Sequence, residues 1–206
     1  MTTVVGAKEE SVMGKRLIIA SCLALFLSFP AVAQERPLVV SSVSQLAGNK
    51  ELKSQKQHEI VVMRVPTVDA TGKPDIQPRH KFFIQAGLHG NEGASSKFVA
   101  WLISRIRKGE SPLSALPASF DFVPVANPDG MAAQSRYNAN AVNLNRNFAT
   151  LWGLSREWPG TARLSEPETK AIDYLLSSQK YTAAVDVHGY DNWIVRPSSP
   201  KAVESK

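Results

Sequence analysis

Thiols are nearly absent from this sequence. Its one cysteine, Cys22, lies within the first 33 of 206 residues. The remainder can form no disulfide and no thiolate metal site, so stability has to come from a packed core and any metal has to be held by nitrogen and oxygen. Histidine is scarce too, with His58, His80, His89 and His188 the only four. No apolar run reaches the roughly 20 residues of a membrane-spanning helix. The net charge is +6, but lysine and arginine are scattered and form no block that could track a phosphate backbone, which argues against a nucleic-acid partner. Internal repeats and low-complexity tracts are also missing. What remains is a chain with 43% apolar residues, enough for one globular domain with a real core.

The first segment has the layout of a secretory leader. Gly14, Lys15 and Arg16 give a short basic start, Leu17 to Phe29 is mostly apolar, and Ala31-Val32-Ala33 is an A-x-A cleavage pattern. Ile19-Ala20-Ser21-Cys22 loosely matches an acylation site, but most of the apolar run follows Cys22, so cleavage after Ala33 is expected. Residues 1–33 are therefore read as a signal peptide, with Met1 to Val12 an over-extended start. The mature protein is expected to be secreted or periplasmic, without a membrane span.

Downstream, 34–57 shows no clear periodicity. Ile60 to Val65 reads as a strand, 68–79 as a loop, and Lys81 to Ala86, ended by Gly87, as a buried strand. Phe98, Val99, Leu102, Ile103 and Ile106 recur on one helical face, with Gly109 closing the helix. Phe120 to Val125 is another strand, followed by the turn signal Asn127-Pro128-Asp129-Gly130. The stretch 131–164 looks irregular, and so long a loop usually has a functional reason. Ser165-Glu166-Pro167-Glu168 reads as a capping box opening a helix with Ala171, Ile172, Leu175 and Leu176 on its buried face. Thr182 to Val187 is a last strand. Alternating strands and helices predict an α/β fold, a sheet with helices packed on it. In such sheets ligands bind beyond the carboxyl ends of strands, where 88–92, 127–130 and 188–190 fall.

The chemistry concentrates at those ends. His89 and Glu92, three residues apart between a strand and a helix, can point the same way, and nearby glycines allow a tight backbone. His188 ends a strand whose tip faces the same crevice. Two histidines and one glutamate make the three-ligand set of a catalytic zinc, which keeps one position open. By contrast, His58 and His80 sit in polar loop surroundings and are expected at the surface.

Taken in order, Gly87-Leu88-His89-Gly90-Asn91-Glu92, Asn127-Pro128-Asp129-Gly130, Arg136 to Asn140, Val142 to Phe148, Ser165 to Glu168 and Asp186-Val187-His188 resemble the zinc carboxypeptidase family, which includes carboxypeptidase A and bacterial murein-peptide amidases. The resemblance covers roughly residues 80–195. It implies a mixed β-sheet with helices packed on it, and a catalytic domain over 34–206. It implies one Zn²⁺ on His89, Glu92 and His188. Arg136 would polarise the scissile carbonyl, Asn145 and Arg146 would hold the substrate's terminal carboxylate, and Tyr190 would line the peptide subsites. The substrate would be a peptide or murein peptide with a free C-terminal carboxylate, cleaved by zinc-activated water.

Two departures accompany the resemblance. The family usually has Asp where this chain has Asn143, so the hydrogen bond to a ligand histidine would carry no charge, and weaker zinc binding is expected. The family's general base is a Glu several tens of residues after the third ligand. Only eighteen residues follow His188, and their carboxylates, Asp191 and Glu204, stand outside that context. The chain is accordingly expected to be a partial catalytic domain, with the C-terminal part of the fold missing. The alternatives are an impaired zinc-binding fragment and a related zinc-dependent deacylase. The Asn-Pro-Asp-Gly turn and the Arg136 to Phe148 segment favour the peptidases.

Overall fold

The computed structural model describes residues 35–69, 73–74, 78–150, 152–153 and 156–189. The leader reading, Cys22 and Tyr190 lie outside them. Among the described residues no helix is long and apolar enough to cross a membrane.

Five strands form one sheet: β1 (Val39–Ser42), β2 (Val61–Val65), β3 (His80–Ala86), β4 (Ala118–Val123) and β5 (Ala183–Val187). Their order is β1-β2-β4-β3-β5. β1 and β2 are antiparallel, as are β2 and β4, while β4, β3 and β5 run parallel. The expected mixed sheet is thus present. Among the described residues four α-helices accompany it: α1 (Val43–Ala47), α2 (Gly93–Arg107), α3 (Pro128–Ala132) and α4 (Pro167–Ser178).

The apolar runs of β3 and β4 follow from burial on both faces. Phe83 joins Val43, Val62, Ala171, Ile172 and Leu175 on the side of α1 and α4. Its neighbour Ile84 joins Val99, Ile103, Ile106, Phe120 and Phe122 on the side of α2. Successive side chains point to opposite faces, so a strand sandwiched between helices has no polar alternation. Fully buried side chains such as Phe83 and Leu175 contribute about 1.5–3 kcal/mol each.

Several local expectations are corrected. Residues 39–47, which carry no sequence periodicity, form β1 and α1, with Ser42 and Gln45 making a reciprocal cap. Phe98 is not on the buried face of α2. That face is Ser95, Val99, Ile103 and Ile106, while Phe98 lies exposed beside Trp101. Leu176 is likewise exposed on α4. The expected capping box does not form. Glu166 caps α4 without a side-chain bond, the Ser165 hydroxyl donates to Glu166 Oε1, and Glu168 accepts from the backbone of Gln55. The Asn127 to Gly130 turn is the opening of α3, where Asn127 Oδ1 accepts from Gly130 N at 2.8 Å.

Because β3, β4 and β5 are parallel, their carboxyl ends share one edge of the sheet. Two backbone bonds stitch the first two ends together, from Ala126 N to Ala86 O and from Asn127 N to Gly87 O. The crevice expected from sequence is therefore assembled by the sheet itself.

Candidate metal centre

His89 follows β3 through Gly87, whose φ of +65° suits glycine, and Leu88, which anchors the segment in the core. Gly90 then passes so close to Gly130 that an added Cβ would lie 1.9 Å from its carbonyl carbon. This contact, rather than a turn, explains the glycine. Glu92 caps α2, with its amide bonded to His89 O. His188 leaves the tip of β5, and Gly189 N donates to Glu92 Oε2 at 2.9 Å.

These three elements bring the three expected ligands together. One ligand atom from each of His89, Glu92 and His188 lies within 4.8 Å of the others. His89 Nδ1 is 2.8 Å from Glu92 Oε1, and His188 Nδ1 is 3.0 Å from Glu92 Oε2. His89 and Glu92 are buried, whereas His188 is about one-third exposed along its side chain. The far nitrogen of each ring has its own partner. His89 Nε2 lies 3.1 Å from Asn143 Oδ1, and His188 Nε2 lies 3.0 Å from Asp186 Oδ2. Both Nδ1 atoms thus face the shared centre. A borderline cation suits two imidazoles and a carboxylate so arranged.

The electrostatics are mixed. Burial holds the His89 imidazole below its ordinary pKa, opposed by Glu92 and reinforced by Arg136. The hydrogen bond to Asp186 raises His188. Burial pushes Glu92 upward, but the Gly189 amide and the two histidines outweigh it, so its carboxyl sits below the usual range.

Arg136 lies beside the cluster. Its Nη1 is 3.3 Å from His89 Nδ1 and 3.4 Å from Glu92 Oε1, and its Nε donates to Glu157 Oε1 at 3.0 Å. Asn143 accepts from Asn145 N through the same Oδ1 that faces His89. Arg146 Nη1 donates to Asn145 O, and its Nη2 is 3.7 Å from Glu157 Oε2. Both basic side chains are about one-third exposed. No motif in the sequence assigns a role to Glu157 or Asp186. Asp186 stands there only as part of the Asp186-Val187-His188 motif, with no role of its own, and Glu157 only as one carboxylate in an irregular stretch. His58, expected at the surface, has an exposed ring, yet its Nδ1 lies 2.6 Å from the buried Asp129.

Comparison with known proteins agrees with this geometry. The model of the family described as zinc carboxypeptidase matches residues 34–204. Carboxypeptidase SOL1 of Arabidopsis thaliana is 29% identical over 128 residues, covering 59% of this chain and 25% of that protein. Human carboxypeptidase O is 29% identical over 154 residues, covering 61% of this chain and 41% of that protein. The chain therefore spans a quarter to two-fifths of the length of these curated relatives. Among solved structures, carboxypeptidase A from Helicoverpa armigera aligns with a TM-score of 0.60 at 22% identity, over 85% of this chain and 45% of that one. Murein-tripeptide amidase from Escherichia coli O157 aligns with a TM-score of 0.51 at 22% identity, over 77% and 64%. Likeness at that identity speaks for the fold, and the match of 34–204 for the lineage: the chain belongs to the zinc carboxypeptidase family.

Proposed function

We propose that His89, Glu92 and His188 hold one zinc ion and that the protein is a metallocarboxypeptidase, hydrolysing the bond that joins a C-terminal residue to its peptide. The observation that supports this best is the convergence of the three ligand atoms within 4.8 Å of one another, from three separate elements. Zinc held there supplies Lewis acidity towards water and towards a carbonyl oxygen.

The chain's own residues provide the rest. Arg136, whose Nη1 lies 3.4 Å from Glu92 Oε1, stabilises charge as it develops on the scissile carbonyl. Arg146 grips the terminal carboxylate with its planar fork, helped by Asn145. Tyr190 lines the peptide subsites. The ligand histidines stay oriented because Asn143 and Asp186 hold their outer nitrogens. The substrate is a peptide with a free C-terminal carboxylate. Murein peptides fit the same chemistry, and the amidase among the structural neighbours lends them support. Residues 1–33 act as a secretory leader and 34–206 as the catalytic domain, so the mature protein begins at Gln34 outside the cytoplasm.

A second reading, a zinc-holding protein without turnover, draws on one observation. Among the described residues, the carboxylates touching the site's side chains are Glu92, Glu157 and Asp186, and each is already engaged by a histidine or an arginine. Zinc content and hydrolysis of hippuryl-type peptides, measured on one preparation, separate the two. About one zinc per chain with chelator-sensitive release of the C-terminal residue supports the peptidase. Zinc without release supports the second reading, and metal well below one per chain refutes both.

A further inference from the structure

Asn143 is fully buried and neutral, and it contacts His89 where an outer carboxylate would strengthen the ligand. An amide placed there has a second weakness, because it can turn over. With Oδ1 towards His89, the ring carries its proton on Nε2 and presents an Nδ1 lone pair to the metal. With Nδ2 towards His89, the proton moves to Nδ1 and blocks ligation. Something has to fix the amide.

Glu157 is placed to do so. Asn143 Nδ2 lies 2.7 Å from Glu157 Oε2. A carboxylate only accepts, so this contact requires the amide nitrogen on the Glu157 side and the oxygen on the His89 side. Asn145 N–H, 3.0 Å from Oδ1, favours the same orientation. The other Glu157 oxygen accepts from Arg136 Nε at 3.0 Å, and that guanidinium holds the carboxyl below its usual range, so it stays ionised. The backbone is pinned as well. Asn143 N donates to Trp158 O, Asn147 Nδ2 donates to Pro159 O at 2.7 Å, and Gly160, at φ +85°, leaves no room for a Cβ against Ser165 and Asn147.

We propose that Glu157 is a positioning residue of the metal centre. Through Asn143 it fixes the Nε2–H form of His89 and supplies the negative charge that the amide lacks. It also holds Arg136 beside the ligands. The proposal rests on the zinc reading of His89, Glu92 and His188.

The test is zinc affinity, by competition with a chromophoric chelator, for the full chain and for Glu157→Gln, Asn143→Asp and the double variant, with circular dichroism confirming the fold of each. Loss of an outer partner costs 10- to 100-fold in metal affinity, and Glu157 acts one bond further out, so Glu157→Gln is expected to weaken binding about tenfold. Asn143→Asp alone sets two carboxylates at contact distance, so its gain is blunted. In the double variant the carboxylate introduced by Asn143→Asp accepts from the His89 Nε2–H directly, and affinity returns to the wild-type value or better. A Glu157→Gln affinity within twofold of wild type overturns the proposal. So does a tenfold loss on adding Glu157→Gln to Asn143→Asp, since a merely structural role of Glu157 would not be rescued. If Glu157→Gln alone does not fold, that last pair of chains decides the matter. A wild-type chain that binds no zinc removes the zinc reading and the proposal together, whereas zinc-binding wild type with unaffected variants removes the proposal alone.

Discussion

Gly90→Ala should damage the site more than any other single methyl group added to the His89 segment. A Cβ at Gly90 would sit 1.9 Å from the Gly130 carbonyl carbon, 2.2 Å from its oxygen and 2.3 Å from Met131 N. All three are backbone atoms within α3, so no side chain can swing aside. Carbon atoms rest at about 3.5–4.0 Å, so the two segments have to separate by about 1.5 Å. Gly130 cannot retreat freely, because its own Cβ position is closed by Asn127 and by Tyr137 O. The displacement therefore falls on 89–92, which carries two of the three proposed ligands. Overpacking of this kind costs about 1–3 kcal/mol in stability, and a misplacement near 1 Å can cost on the order of 100-fold in activity. Gly93→Ala is the control. Its Cβ would meet only Met131 Sδ at 3.9 Å, at the first residue of α2, and alanine there should be neutral or stabilising by up to about 1 kcal/mol. Urea denaturation and zinc titration of the two variants check both halves. Equal stability and equal zinc affinity for Gly90→Ala and wild type would refute the packing argument.

Two further outcomes are expected. Asp121→Ala should cost about 2–3 kcal/mol by urea denaturation, because Asp121 is buried, takes a two-pronged bond from Arg64 at 2.6 and 2.7 Å, and accepts from Tyr181; Arg64 keeps one-third of its side chain exposed, which trims the 3–5 kcal/mol of a fully buried pair, and a loss below about 0.5 kcal/mol would contradict this. Burial pushes Asp129 upward, yet His58, Lys56 N and Ser54 outweigh it and hold its carboxyl below the ordinary 3.8; a depressed pKa gives stability that is present above the unfolded value and lost as pH falls through the folded one, so the gap between wild type and Asp129→Asn should shrink between pH 5 and 3 or so, and a gap independent of pH would reject the assignment. Glu168 works in the opposite sense, since burial raises it and its contribution fades as pH rises.

The parts legible in sequence are those whose signal is local. β2 to β4 show as apolar runs because helices or neighbouring strands cover them, whereas β5 reads as an apolar run although most of it is exposed. The three proposed ligands show because they follow such runs. β1 is only four residues, half of them exposed, and leaves no pattern. The buried face of α2 is ambiguous at Phe98 because an aromatic residue fits the 3.6-residue period as well as Ser95 does, and only the packing against β3 and β4 decides between them. The capping box fails for a related reason. Its motif assumes that Ser165 and Glu168 serve their own helix, whereas Ser165 bonds Glu166 and Asn147, and Glu168 bonds Gln55 and Asn138. Glu157 acquires meaning only from Arg136 and Asn143 on other segments, and Asp186 only once the His188 ring folds back onto it, which no spacing rule reports.

The irregular stretch that opens after α3 shows why a loop can be both ordered and rich in asparagine. Buried backbone outside helices and strands still needs its polar groups paired, and an amide offers both donors and acceptors. Asn138 accepts from Asn140 N and Val142 N and donates to Glu166. Asn147 donates to Pro159 O and Ala162 O and accepts from Glu166 N. Asn143 does the same work, accepting from Asn145 N while donating to Glu157. An aspartate at this position could accept but could not donate, so the bond to Glu157 would become a repulsion. The neutrality of Asn143 is thus tied to the carboxylate beside it: one negative charge is kept near His89, but it sits on Glu157, where it also reaches Arg136.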